Sequence, residues 1–211
     1  MASTEDRAAA PAVPESFGTS LRSVREERGM SVRSLARTIG VSPSLISQIE
    51  NGKANPSVGT LYAIVSTLQI SVDKLFSEQP AEDAARQEDS DGTVLRHADR
   101  PSVDLASGVR WERLTPTADP DVDFLFVTYG VGGASCPPDV LMRHSGREYG
   151  LVISGHLGAT IGFDSFELGP GDSIVADSTT PHRFWTIGDE PAVVVWTVVG
   201  RAGDPRANFD L

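Results

Sequence analysis

Two regions of this 211-residue chain concentrate side chains that can do chemistry. In the first, SVRSLARTIGVSPSLISQIENGKANPS, the hydrogen-bonding residues Ser42, Ser44, Ser47, Gln48, Asn51 and Asn55 are flanked by the cations Arg33 and Lys53. Amides and hydroxyls of this kind pair with the edges of nucleic-acid bases, and cations beside them bind phosphate. In the second region His144 is followed four residues later by Glu148, and a separate segment, GPGDSIVADSTTPHRF, carries His182. Imidazole and carboxylate groups can ligate a divalent ion, and they serve equally as the hydrogen-bonding lining of a polar pocket.

The elements that must position the first set read as helices. Ser31 is placed to cap a helix over VRSLARTI, and Gly40 ends it in a conformation that only glycine adopts cheaply. Ser42 followed by Pro43 starts the next helix, which runs to about Asn51. With Leu45, Ile46 and Ile49 turned inward, 3.6 residues per turn leave Ser44, Ser47, Gln48 and Asn51 outward. Gln48 is the strongest base reader, because its carboxamide matches adenine N6 and N7. Arg33 should lie by the DNA backbone or the groove edge, and Lys53 and Asn55 suit phosphate. Helical spacing also recurs around Leu21, Leu61 and Val72, predicting five short helices over residues 17–76.

Composition divides the chain further. The net charge of −11 is unevenly spread: residues 17–77 hold seven cations against four anions, so the remainder carries the whole acidic excess. A mildly basic module on an acidic body can approach phosphate through one face. Residues 1–16 are Ala- and Pro-rich and read as a disordered arm, and 77–92 is an acidic linker. That linker is too polar to act as a rigid rod, so a direct push between domains is not expected, and dimer geometry is the expected route of any coupling. Residues 93–200 change to short β-rich runs punctuated by Gly, Pro and Asp (VRWERL, DFLFVTYG, VLMRH at 140–144, EYGLVIS, HLGATIG, FEL, DSIVAD, HRFWTI and AVVVWTVV), followed by a tail over 201–211. One cysteine, Cys136, excludes an intrachain disulfide and fits a reducing cytoplasm. No run reaches the roughly 20 apolar residues of a membrane span.

Counted from Val32, Ala36 falls fifth, Gly40 ninth, Ile46 fifteenth and Ile49 eighteenth. A small fifth residue admits a crossing helix, Gly makes the turn and the two Ile residues form the inner face. The stretch resembles the helix-turn-helix family of phage-repressor type, also called the xenobiotic response element family. That resemblance implies a lambda-repressor-like all-α domain that binds a near-palindromic DNA operator as a homodimer.

The β-rich half resembles the cupin superfamily in two segments, MRHSGREYGLVISG and GPGDSIVADSTTPHRF. Such a barrel is a double-stranded β-helix, or jelly roll, and often holds a divalent metal on His and Glu. By alignment, His144, Glu148 and His182 take three ligand positions. Met142 stands where cupins commonly supply another His, and Cys136 where the motif opens with Gly. Two imidazoles and a carboxylate make a facial triad suited to non-heme iron, with Mn, Ni and Zn as further candidates. The other reading is a metal-free effector pocket. Strand alternation adds Met142, Val152 and Phe184 to its lining; His97, near the linker, and His156, beside a turn glycine, are lone histidines and read as surface residues.

The whole, an α+β two-domain chain, resembles helix-turn-helix regulators with a cupin effector domain, which are not enzymes and which dimerise through the barrel. A rival from another class is the iron-dependent epoxidase of fosfomycin biosynthesis, which shares the domain order and the triad and acts on a small anionic substrate.

Overall fold

Capping chemistry sets the helix ends in the computed structural model, which describes residues 15–70, 72, 93–119 and 121–200. Helix α1 spans Glu15–Glu27, α2 Val32–Ile39, α3 Pro43–Glu50 and α4 Val58–Leu68. The side chains of Ser31, Ser42 and Ser57 accept hydrogen bonds from the backbone N–H three residues on, each satisfying a donor left open at a helix start. Gly40, at φ 74°, reverses the chain between α2 and α3. Of the fifth helix expected near Val72, only Val72 itself is described; it is helical and buried. The expected arm falls outside the described residues as far as position 14, while Glu15 and Ser16 already belong to α1. The expected linker and tail also lie outside them.

Leu21, Leu35, Ile46, Ile49, Leu61, Ile64 and Leu68 are fully buried and form the helical core. Each contributes about 1.5–3 kcal/mol through burial. Gly18 lets α1 cross close to the end of α3, since a Cβ there would lie 2.6 Å from the Ile49 carbonyl oxygen. Beside this crossing the Arg25 guanidinium donates to both carboxylate oxygens of the buried Glu50, and also to the Met30 carbonyl at 2.6 Å. That fork ties the C-terminal end of α3 to α1.

The second half is two antiparallel sheets. Strands β1 (Ser102–Leu105), β2 (Val109–Arg113), β3 (Val122–Tyr129), β4 (Arg147–Ser154), β7 (Ser173–Asp177) and β9 (Ala192–Val199) form one sheet, in the order β1-β2-β3-β9-β4-β7. Strands β5 (His156–Ile161), β6 (Asp164–Leu168) and β8 (His182–Ile187) form the other, in the order β6-β5-β8. Alternation turns Glu148 and Val152 of β4, and His182 and Phe184 of β8, to the interior. Strand β1 had no counterpart among the runs read from sequence. The expected run at residues 140–144 is no strand, only a bridge in which Met142 and His182 exchange backbone hydrogen bonds at 2.9 Å.

The two halves touch directly. The Gly59 N–H donates to the Ser135 carbonyl at 3.2 Å, and the Ala106 N–H donates to the Pro56 carbonyl at 3.0 Å. Tyr62 of α4 meets Trp111 of β2 edge-on, with ring centroids 5.5 Å apart. The linker is therefore not the one connection between the halves, as the expectation of coupling through dimer geometry had assumed. Helix α4 itself rests on the barrel, so contact does not depend on the stiffness of the linker.

Candidate functional site

Helix α3 presents one face to its neighbours and one to solvent. Ile46 and Ile49 are fully buried, while Ser44, Ser47 and Gln48 are exposed, as the helical period requires. Arg33 and Lys53 are exposed on the flanking segments and Asn55 is half-buried. Ser42 is the cap of α3: its hydroxyl oxygen accepts from the Leu45 N–H at 3.1 Å, which leaves its own proton free to donate outward. Asn51 is exposed, but its amide donates to the Ser47 carbonyl at 2.6 Å and closes the end of the helix. Its amide N–H groups are thus partly committed to the fold, whereas those of Gln48 enter none of the hydrogen bonds described here.

In the barrel, His144 and Glu148 from the start of β4 and its preceding loop converge with His182 from β8. One ligand atom from each lies within 4.8 Å of the others, and all three residues are buried. The Nε2 atoms of His144 and His182 stand 2.6 and 3.5 Å from the same oxygen, Oε1 of Glu148. Neighbouring groups fix which atoms face inward. Nδ1 of His144 lies 3.1 Å from the Ser145 carbonyl, and Nδ1 of His182 lies 2.8 Å from the Thr180 carbonyl. A carbonyl only accepts, so each Nδ1 carries a proton and each Nε2 is the ring nitrogen that faces Glu148. The Trp196 indole N–H donates to Oε2 of Glu148 at 3.0 Å, which leaves Oε1 to the centre.

Three acceptors aimed at one point repel one another unless something positive sits between them. His144 Nε2, Glu148 Oε1 and His182 Nε2 are all buried without a satisfactory hydrogen bond, the state of ligand atoms awaiting a cation. Burial alone would raise the Glu148 pKa, but its interactions with the His144 and His182 side chains outweigh burial and hold the pKa below the usual carboxylate value. Burial lowers the His182 pKa, offset in part by Glu148. Both shifts favour an anionic carboxylate and a neutral imidazole, the forms that ligate metal. The donor set therefore fits a divalent ion, which these three residues would hold.

Other residues complete the cavity. Met142 and Phe184 line it as expected, with Trp111, Tyr129 and Trp196 beside them. Val152 faces inward on β4 but is not among the lining residues, because it lies farther along the strand, opposite Val194. His97 and His156 are exposed. Sequence reasoning missed the most unexpected components, Val58 and Tyr62, which come from α4 of the helical domain. Nothing in a helical pattern distinguishes an apolar residue that faces its own core from one that faces another domain. Trp196 had a signal of a kind: Gly150 pairs with it across β4 and β9, and a Cβ on Gly150 would lie 2.1 Å from the indole. Only glycine there lets the indole lie flat and reach Glu148.

The folds and sites described define a helix-turn-helix domain joined to a cupin barrel. Residues 21–75 match the helix-turn-helix family and residues 125–198 match the cupin domain family. The chain is thus a member of the helix-turn-helix proteins that carry a C-terminal cupin domain. It is 27% identical over 169 residues to the HTH-type transcriptional regulator PuuR of Escherichia coli, covering 79% of this chain and 85% of that regulator. It is 45% identical over 63 residues to the HTH-type transcriptional repressor RghR of Bacillus subtilis, covering 29% of this chain and 47% of the repressor. Among solved structures, an HTH_3 family transcriptional regulator from Vibrio cholerae shares the fold, with a TM-score of 0.62 at 22% identity over 88% of this chain and 95% of that one.

Proposed function

We propose that the chain is a sequence-specific DNA-binding transcriptional regulator whose cupin barrel takes a small-molecule effector at a divalent-ion site. The observation that carries this reading is the outward face of α3. Ser44, Ser47 and Gln48 are exposed on a helix whose opposite face is fully buried. In the major groove Gln48 pairs with adenine, Ser44 and Ser47 donate to neighbouring bases, and Arg33, Ser42, Lys53 and Asn55 hold phosphates. One such helix per chain calls for a homodimer on a near-palindrome, with half-site centres about 34 Å apart. An exposed apolar row supports pairing through the barrel: Tyr149, Leu151 and Ile153 of β4, with Val175 of β7 opposite Tyr149. A DNA-binding role places the protein in the cytoplasm. Among the described residues no helix is long and apolar enough to cross a membrane.

In the barrel, His144, Glu148 and His182 would hold Fe, Mn, Ni or Zn. Such an ion would supply a Lewis-acidic anchor for an oxygen or nitrogen donor of the effector. The chain's own residues do the rest: the two backbone carbonyls set the imidazole tautomers, Trp196 orients Glu148, and the aromatic walls exclude water. The same triad favours a second reading, an iron-dependent oxygenase of the fosfomycin-epoxidase type acting on a small anion. Selection of duplexes from a random pool by the purified protein separates the two. Enrichment of a near-palindromic consensus supports the regulator, and recovery of no consensus sinks it in favour of the oxygenase.

A further inference from the structure

The cavity at the triad has a roof from outside the barrel. Val58 and Tyr62 of α4 close it, and the Tyr62 ring lies flat on the His144 imidazole, with centroids 4.0 Å apart and planes within 6°. The free space left beneath is about 10 Å³. That volume holds one water-sized occupant at most. An ion fits at the triad in this arrangement; an organic molecule does not. The walls offer no alternative space, because Trp111, Phe184 and Trp196 are themselves buried and packed, Phe184 against Trp196 at 4.7 Å. The element that can yield is α4, tied to the barrel by the Gly59 to Ser135 hydrogen bond and, just before its first turn, by the Ala106 to Pro56 hydrogen bond.

We propose that α4 is the lid of the barrel site, so that an organic ligand reaches the triad only by displacing Tyr62 from His144, and in doing so frees the DNA-reading domain from the barrel. The inference rests on the reading that the barrel binds a small molecule. It adds that Tyr62, a residue of the helical domain, occupies the ligand's place. The ligand it implies is a small molecule with one metal-ligating oxygen or nitrogen and a flat or apolar body that replaces the phenol ring. Coupling then follows from mutual exclusion: ligand and closed lid compete for one volume, and each weakens the other by the same factor.

The chain contains its own reporter. Cys136, its one cysteine, is buried, and a Cβ built on Gly59 of α4 would lie 3.9 Å from the Cys136 Cβ. This is within the roughly 3.5–4.5 Å span of a disulfide, so Gly59→Cys, once oxidised onto Cys136, locks the lid.

Two measurements on the full chain test the proposal. The first is the rate of Cys136 alkylation by iodoacetamide. Wild type and Tyr62→Phe should react slowly and alike, and Tyr62→Ala at least tenfold faster with unchanged far-ultraviolet circular dichroism. Equal rates in all three, or a fast wild type, overturn the lid. The second uses cobalt(II)-loaded protein and imidazole as a ring-sized metal ligand, read by the visible bands of cobalt. The bands should shift at lower imidazole concentration in Tyr62→Ala than in wild type, and not at all in the locked Gly59→Cys protein. A shift in the locked protein at the wild-type concentration overturns the proposal while leaving the site intact. No shift in any form, Tyr62→Ala included, overturns the underlying reading that the barrel takes a ligand, and the proposal with it.

Discussion

The outward face of α3 and the triad of the barrel are built on opposite principles. Ser44, Ser47 and Gln48 project from a helix that would fold without them, so each can act and be changed independently. His144, Glu148 and His182 are buried acceptors converging on one point, and each depends on a neighbour: a carbonyl, an indole or a tyrosine from another domain. Tolerance to substitution therefore differs between the two. A surface that reads a partner can be rewritten one residue at a time, whereas a buried polar centre holds only while all its supports are present.

The largest effect should come from the one place where the reading helix is itself built like the barrel. Glu50→Ala strands the Arg25 guanidinium, of which only 6% of the side chain is exposed. Loss of one partner of a buried pair costs about 3–5 kcal/mol. Chemical denaturation should show this loss, and a cost within about 0.5 kcal/mol, as for a surface change, would mean that α3 is not anchored through this pair. Next is Gly150→Ala, whose new methyl would overlap the Trp196 ring. Overpacking of this kind costs about 1–3 kcal/mol, and losing the indole's hold on Glu148 should weaken metal binding about 10- to 100-fold. Metal titration of the folded variant checks it; unchanged affinity would make the barrel as tolerant as the helix face.

Gln48→Ala should leave stability within about 0.5 kcal/mol and cost about 1–3 kcal/mol of operator affinity, relaxing preference at one base position. Lys53→Ala is the mildest. It should weaken all duplexes alike and reduce the slope of log affinity against log salt by about one. A change in consensus on removing Lys53 would move that residue from the phosphates to the bases.

The same contrast explains what the sequence made legible. The α3 face could be read because a helix is local: Ser42 and Pro43 mark its start, and a period of 3.6 assigns inside and outside without knowledge of any other segment. The triad was reachable only through its resemblance to cupins, since His182 is brought to Glu148 by strand pairing that no local pattern states. Val152 was misplaced because alternation gives the face of a strand but not the depth along it. Strand β1 escaped because SVDL is too short and mixed to stand out. Tyr62 escaped altogether: its spacing is that of a core residue, and the partner it stacks on lies 82 positions away in another domain.

Whether the exposed face of α3 reads bases while the barrel takes no part in base readout is decided by repeating the duplex selection with Gln48→Ala and His182→Ala beside wild type. Wild type should enrich a near-palindrome with an adenine in each half-site, Gln48→Ala should lose preference at that position alone, and His182→Ala should return the wild-type consensus. An unchanged consensus from Gln48→Ala, or a changed one from His182→Ala, would contradict base readout by α3 alone.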